Sequence, residues 1–98
     1  MAHSDPQPAA EIDLHGLRVD QALRRLGQEL HACRQRREGR LRVITGRGWG
    51  NITQTPVLRH SVETWLKGPE GRRHGVSGFE VVSRGGALDV RLGSTHRA

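Results

Sequence analysis

Asp13 and His15 stand two positions apart, a spacing that places both side chains on the same face of a β-strand. An imidazole can take up or release a proton near neutral pH, and a neighbouring carboxylate can orient that ring or hold a divalent ion. Phosphodiester cleavage requires a base for the nucleophile, an acid for the leaving oxygen and donors for the charge on phosphorus. The pair therefore predicts acid–base chemistry at phosphate. The alternative is a local hydrogen-bonding device at a strand end.

A glycine-rich segment at 46–50 could supply the donors. Its glycines let backbone N–H groups approach an oxyanion closely, and Arg47 and Arg59 add charge-assisted donors. Trp49 lies between glycines and has no apolar neighbours in sequence, so it either stacks on a nucleic-acid base or covers an edge of the core. The alternative for the whole segment is a flexible connection between two elements.

Arginine dominates the charge of the chain and is clustered. All but Lys67 of the 16 basic residues are arginine, and with 10 acidic residues the net charge is +6. Between positions 34 and 47 there are six arginines and one acid, Glu38. Guanidinium groups stay charged and bind oxyanions through paired donors, so the cluster indicates a nucleic-acid backbone as the partner. The alternative is a solvated charged face.

Composition excludes several other classes of protein. No apolar run is long enough to span a bilayer, and the N-terminal residues lack the basic start and apolar segment of a secretory signal. The sequence therefore predicts a soluble, cytoplasmic protein with no membrane partner. Cys33 is the only cysteine, which excludes an intramolecular disulfide and a cysteine metal cluster and leaves it as a small core residue.

Hydrophobic periodicity predicts four strands and two helices. Helices with one apolar stripe are expected from Val19 to a stop at Gly39 and from Val57 to a stop near Gly68. The strands are expected at 11–15, 41–45, 76–82 and 88–92, with a loop carrying Arg72, Arg73 and His74 and a tight turn at 84–86.

The order β-α-β-α-β-β predicts an α/β fold, a two-layer sandwich in which two helices cover one face of a four-stranded mixed sheet. Residues 1–10 are expected to be a disordered lead-in and 94–98 a disordered tail, around a single domain at 11–93. The first two strands should be parallel neighbours joined by a right-handed crossover. Their carboxyl ends then share one edge of the sheet, which brings Asp13 and His15 to the glycine-rich segment.

Four segments of the chain, in order, resemble the signatures of the Smr (small MutS-related) domain family. The sequence IDLHGL at 12–17 resembles the family's LDLHG motif, and VITGRG at 43–48 resembles its TGxG motif. Residues 56–66 are similar to its LRxxVxxWL helix, and 85–92 are similar to its final GGxGAxxVxL strand. Each motif is short, but the four together span nearly the whole chain and are specific in this order.

The resemblance implies a compact α/β domain with four strands and two helices, in a family associated with DNA nicking or RNA cleavage. The family's positions linked to activity or binding correspond here to Asp13, His15, Gly16, Thr45, Gly46 and Gly48. The chain departs from the pattern after Gly48, where it reads WGNI and many members have His-Ser, so a role for that second histidine has no counterpart here. Arg18 also stands where threonine is common, and the Gly-Gly turn before Ala87 is shorter.

The sequence therefore predicts a nucleic-acid endonuclease with His15 as the acid–base group and Asp13 in support. Glu11, Asp13 and His15 lie on one strand face and could form a partial metal site. No further ligand is evident in the sequence, so a loosely held Mg²⁺ or Mn²⁺ ion, or no ion, is expected rather than a tight site. Two further classes stay open: a non-catalytic DNA- or RNA-binding module that uses the same edge, and a protein-interaction appendage. The residues expected to bind nucleic acid are Gly16, Thr45, Gly46, Arg47, Gly48, Trp49 and Arg59, with Arg36, Arg37, Arg40 and Arg42 as an arginine-rich margin beside the edge.

Overall fold

The computed structural model describes residues 10–46, 54–82 and 85–93. Its strands are β1 (Ala10–Asp13), β2 (Arg40–Ile44), β3 (Val76–Val82) and β4 (Ala87–Leu92), and its helices are α1 (Val19–Gln35), α2 (Gln54–Lys67) and α3 (Pro69–Arg73). The strands form one mixed sheet in the order β1-β2-β4-β3. The expected α/β fold with a four-stranded mixed sheet is confirmed.

The sheet has two ends with different residues. β1 and β2 are parallel neighbours, with Asp13 beside Ile44, and β4 lies antiparallel between β2 and β3. The carboxyl ends of β1 and β2 therefore meet the start of β4 at one end of the sheet, which we call the site edge. The starts of β2 and β3 meet the end of β4, near Arg40, at the other end, which we call the distal end.

The helices cover one face of this sheet, and the side chains that alternate with the core residues point to the other face. Glu11, Arg42 and Asp89 lie side by side on that outer face, because Glu11 is paired with Arg42 and Arg42 with Asp89. Burial of the apolar side chains holds the two layers together. The core includes Ile12, Leu14, Leu26, Leu30, Cys33, Leu41, Val43, Leu58, Val62, Leu66, Leu88 and Val90. Burial raises the pKa of the Cys33 thiol, which fits its expected role as a core residue.

The end of α1 differs from the expectation. The helix stops at Gln35, and Arg37 then adopts the left-handed conformation with φ of 61°. The N–H of Glu38 donates to the carbonyl of Cys33 at 2.8 Å, and the N–H of Arg37 donates to the carbonyl of Arg34 at 3.1 Å. This is the Schellman pattern, in which glycine usually occupies the left-handed position. The prediction of a stop at Gly39 was wrong because arginine occupies that position instead.

A third helix was also missed. Residues 69–73, expected to form a loop, make the short helix α3. Pro69 suits its first turn because proline fixes φ and lacks the N–H that a helix start leaves unpaired. A Cβ at Gly71 would overlap the backbone of Leu66, so glycine permits α3 to lie against the end of α2.

Some element boundaries move as well. Ala10 is buried and begins β1, so the expected disordered lead-in is wrong at this residue, while 1–9 and 94–98 lie outside the described residues. His15 stands in a turn after β1, and α2 begins at Gln54, which places Pro56 in its first turn, where proline is tolerated. No helix in the described part of the chain is long and apolar enough to cross a membrane.

Candidate active site

Three chain segments meet at the site edge. The N–H of Leu14 donates to the carbonyl of Ile44 at 2.7 Å, which joins the ends of β1 and β2. The N–H groups of Thr45 and Gly46 both donate to the carbonyl of Gly86, at 2.9 and 3.1 Å. The two motifs that the sequence predicted to converge are therefore adjacent, and the turn before β4 completes the edge.

Glycines in the left-handed region shape this edge. Gly16, Gly46 and Gly85 have φ of 81°, 95° and 91°, a conformation that side chains with a Cβ rarely adopt. At Gly16 the chain reverses direction, and the N–H of Leu17 donates to the carbonyl of Leu14 at 3.1 Å. A positive φ at the third position of such a turn requires glycine, and it leaves His15 at the exposed corner.

Asp13 and His15 form a hydrogen-bonded pair. His15 Nδ1 lies 2.7 Å from Asp13 Oδ1, and the same oxygen accepts the backbone N–H of His15 at 3.0 Å. Partial burial alone would raise the pKa of the Asp13 carboxyl, but the hydrogen bonds from the His15 ring and backbone outweigh it and lower that pKa. Asp13 is therefore ionised near neutral pH and can only accept, so His15 Nδ1 carries the proton in this bond.

This tautomer leaves Nε2 of the neutral His15 ring with a free lone pair. The His15 and Asp13 side chains are 65% and 52% exposed, so both are open to solvent. If Nε2 gains a proton, the Asp13 carboxylate stabilises the imidazolium through the 2.7 Å contact. The pair is thus arranged to accept a proton at Nε2 and to return it.

The second motif contributes less to anion binding than the sequence suggested. The N–H of Gly46, expected to approach an oxyanion, is hydrogen-bonded to Gly86 instead. Thr45 is fully buried, and its hydroxyl has no hydrogen-bond partner among the described residues. The other predicted binding residues of this segment, Arg47, Gly48 and Trp49, lie outside the described residues.

Arg59 and the start of α1 supply cationic and polar groups at the edge. Arg59 Nη1 donates to the carbonyl of Gly85 at 3.4 Å, and its Nε lies 3.6 Å from Glu63. α1 starts at Val19, close in sequence to His15, and the Arg18 side chain makes no capping hydrogen bond. The positive end of the α1 dipole therefore begins four residues after His15 and has no side-chain cap.

The predicted arginine margin is not beside the edge. Arg40 starts β2 and Ile44 ends it, so about four strand rises separate them, or roughly 13 Å. Arg36 and Arg37 precede Arg40 and lie at the distal end. The expectation that Arg36, Arg37 and Arg40 flank Asp13 and His15 was therefore wrong, because proximity in sequence to the second motif did not place them at its end of the strand.

Arg42 has a structural partner. Its Nε and Nη2 donate to the Asp89 carboxylate at 2.8 and 3.2 Å, and this hydrogen bonding raises the pKa of the guanidinium. Arg40 approaches the same carboxylate at 3.6 Å, and Arg36 lies 3.3 Å from Glu29. Carboxylates of the same domain therefore neutralise part of the positive charge of these arginines.

The described residues do not gather a metal cluster. No group of three His, Cys, Asp or Glu side chains close enough to hold an ion occurs among residues 10–46, 54–82 and 85–93. Asp13 and His15 alone do not make a tight site for Mg²⁺ or Mn²⁺, which prefer several oxygen ligands.

Two contacts in the structure could not be predicted from the sequence. The carbonyl of Gly86 accepts two N–H groups of the second motif, although the Gly-Gly pair indicated only a turn. His74, which had no evident partner in sequence, stacks on Trp65 with ring centroids 5.6 Å apart. No local pattern could reveal this contact, because it depends on the unpredicted helix α3.

The profile of the Smr domain family matches residues 12–91, which includes the site edge and both strand motifs. The chain belongs to the Smr domain family. Smr domains are known for nuclease activity or nucleic-acid binding.

Solved Smr domains share the fold. The Smr domain of Thermus thermophilus MutS2 superposes with a TM-score of 0.70 at 29% identity, over 88% of this chain and 100% of that one. The SMR domain of NEDD4-binding protein 2 gives a TM-score of 0.63 at 29% identity, over 97% of both chains. An Smr domain-containing protein of Schizosaccharomyces pombe is 35% identical over 57 residues, which cover 58% of this chain and 28% of that protein. The chain thus matches little more than a quarter of that relative.

Proposed function

We propose that this Smr domain is a nucleic-acid endonuclease that hydrolyses a phosphodiester bond at the site edge. The observation that carries the proposal is the Asp13–His15 pair, with its 2.7 Å hydrogen bond and a His15 side chain that is 65% exposed. The lowered pKa of Asp13 supports it, since an ionised carboxylate fixes the ring tautomer that a base requires. Membership of a family known for nuclease activity or nucleic-acid binding supports it independently.

The proposed reaction needs only water as its second substrate. His15 Nε2 takes a proton from the attacking water as the new oxygen–phosphorus bond forms. The bond from phosphorus to the leaving oxygen breaks, and His15 returns its proton to that oxygen, so the ring ends as it began. Asp13 is a positioning residue that holds Nδ1–H and stabilises the transient imidazolium.

Two groups of the described residues at the site edge would stabilise the negative charge on the phosphate. These are the uncapped first turn of α1 and the Arg59 guanidinium, which is 40% exposed. The N–H groups of Thr45 and Gly46 are not among them, because both are bonded to Gly86.

A comparison of His15→Ala, Asp13→Asn and wild type tests the proposal on supercoiled plasmid and on a structured RNA, with and without Mg²⁺ or Mn²⁺. We expect His15→Ala to lower cleavage by roughly 10²–10⁴-fold, the range of a general acid–base group. Asp13→Asn should lower it less than His15→Ala and leave substrate binding unchanged. Glu11→Gln is the matched control, because Glu11 is exposed on the same strand face and should leave cleavage unchanged.

A non-catalytic binding module is the second function that an observation favours. Asp13 and His15 are more than half exposed, and acid–base groups gain from exclusion of water that this geometry does not provide. In that case wild type and His15→Ala would both retard the nucleic acid in a gel, and neither would cleave it under any condition. That result would remove the enzyme proposal and leave the binding proposal in place.

A further inference from the structure

The distal end of the domain carries exposed arginines from elements that are far apart in sequence. Arg34 and Arg37 lie in and just after the end of α1, and Arg72 and Arg73 lie in α3. All four are exposed, and none lies within 4.0 Å of a carboxylate in the part of the chain that the structure describes. We call these four residues the distal basic surface.

Direct contacts bring its helical members together. Arg34 Nη1 donates to the carbonyl of Arg73 at 3.2 Å, which joins the end of α1 to the end of α3. The Arg34 guanidinium also lies beside Gly75, whose carbonyl accepts the N–H of Gly93 at 2.7 Å, directly after β4. Burial lowers the pKa of His74, and the nearby charges of Arg34, His31 and Arg73 lower it further against the opposing effect of Glu70. The distal end thus concentrates positive charge in space.

Helix dipoles explain only part of this concentration. α1 and α3 both end here, and a cation in the last turn of a helix is favourable in its own right. Arg37, however, lies beyond the last turn of α1, at a left-handed position where glycine is the usual residue. Backbone geometry does not account for an arginine there, whereas a charged ligand would.

We propose that the distal basic surface binds the sugar–phosphate backbone of the nucleic acid whose phosphodiester bond lies at the site edge. This inference rests on the proposed nucleic-acid function and adds a second contact region to it. Unpaired guanidinium groups suit phosphate, because their planar donors match its oxygens and most protein–DNA hydrogen bonds go to the backbone. The described site edge, by contrast, offers few unpaired cations.

The dimensions of the domain set the length of nucleic acid required. α1 runs from the site edge at Val19 to the distal end at Arg34, which at about 1.5 Å per residue is roughly 22 Å. A duplex rises about 3.4 Å per base pair, so this distance corresponds to roughly six or seven base pairs. A duplex of six base pairs has only five such rises, or roughly 17 Å, and is too short to reach both regions, while one of 12 base pairs, at roughly 37 Å, can reach both.

The test measures affinity by fluorescence anisotropy with 6- and 12-base-pair DNA duplexes and RNA hairpins of matching stem length. The test variants are Arg37→Gly and the double variant R72Q/R73Q. The double variant R24Q/R25Q is the matched control, because it removes the same charge from exposed positions in the N-terminal half of α1, away from the distal end. We expect wild type and control to bind the longer probes at least about tenfold more tightly, and R72Q/R73Q to lose that gain.

Salt dependence gives the number of phosphates concerned. The log–log slope on duplex DNA should fall in magnitude by about 1.8 for R72Q/R73Q and by about 0.9 for Arg37→Gly, at about 0.9 per phosphate. Arg37→Gly separates binding from folding, because glycine suits φ of 61° and its melting temperature should equal or exceed that of wild type. Weaker binding by this stable variant supports the inference.

Other outcomes are distinguishable from failure of the proposed function. Distal variants that bind and cleave like wild type, while His15→Ala loses cleavage, would overturn the distal surface and keep the enzyme. Polyglutamate that competes as well as DNA at equal charge concentration would overturn nucleic acid as the partner in favour of an acidic protein. If the distal basic surface binds the substrate, R72Q/R73Q should raise KM and leave kcat unchanged, since the substituted residues lie far from His15.

Discussion

Asp89 offers the sharpest test of how the arginines of this domain are used. Its side chain lies on the outer face of the sheet and is 8% exposed. Arg42 donates to both of its oxygens, at 2.8 and 3.2 Å, and Arg40 approaches at 3.6 Å. We expect Asp89→Ala to destabilise the fold, because it leaves the Arg42 guanidinium without its carboxylate between two central strands.

The size of the loss follows from the exposure of the partners. Removing one member of a fully buried ion pair costs about 3–5 kcal/mol, and an exposed pair contributes about 1 kcal/mol or less. Arg42 is 24% exposed, so water can solvate part of it, and Arg40 is 43% exposed, so its contribution is that of a surface pair. We therefore expect Asp89→Ala to lower the free energy of unfolding by about 2–3 kcal/mol. At about 4–8 °C per kcal/mol for a domain of this size, Tm should fall by roughly 10–20 °C.

Urea denaturation followed by circular dichroism measures this loss as a shift in midpoint at constant slope. Glu80→Gln is the matched control, since Glu80 is exposed and lies directly opposite Asp89 on β3. Like charges opposite each other repel, so this control should be neutral or slightly stabilising. A double-mutant cycle with Arg42→Met should give a coupling energy above about 1 kcal/mol. A loss below about 1 kcal/mol for Asp89→Ala, or a coupling near zero, would refute the assignment of Arg42 to the fold.

Two further predictions concern polar side chains, of which Thr45 is fully buried and His74 is partly buried. Thr45→Val should raise the free energy of unfolding by about 1 kcal/mol in the same denaturation assay, because it removes a buried hydroxyl that has no partner among the described residues; a loss of stability would contradict this. His74→Gln should flatten the pH dependence of stability. Burial lowers the His74 pKa, so the unfolded chain binds the proton more tightly, and stability that is present above about pH 6.5 is lost as the pH falls through the folded pKa. Equal slopes of stability between pH 7 and pH 5 in wild type and variant would show that His74 does not carry this dependence.

The meeting of the two motifs at one edge of the sheet could be predicted from the sequence because it depends on local pattern and on one topological rule. Alternation of apolar and polar residues identified β1 and β2, and a short strand–helix–strand unit makes such strands parallel. Parallel strands place their carboxyl ends together, so the adjacency of Asp13 and Ile44 followed without any long-range information. The i, i+2 spacing of Asp13 and His15 likewise predicted a shared side, although the hydrogen bond between them forms across a turn rather than within a strand.

The positions of the arginines could not be predicted in the same way. The arginines that are close together in the sequence have different environments in the fold, because β2 pairs with β4. Arg42 lies opposite Asp89, which is 47 residues away along the chain, so no window of sequence could show that its charge is neutralised. Arg72 and Arg73 stood in an expected loop, and their proximity to Arg34 depends on α3 lying against the end of α2, which Gly71 permits.

The exposure of the Asp13–His15 pair has a consequence for where binding energy must come from. A pair that is more than half exposed acts in a medium of high dielectric constant, where a single ionic contact contributes little. A substrate held there by such contacts alone would dissociate quickly, and misplacement by about 1 Å can lower a rate by roughly 10²-fold. Contacts remote from the reacting phosphate can supply the missing binding energy, since each additional phosphate neutralised releases counterions wherever on the protein it occurs. The open geometry of the Asp13–His15 pair and the unpaired arginines at the distal end are therefore physically consistent parts of one proposed mechanism, in which the distal basic surface binds the strand and His15 acts on it.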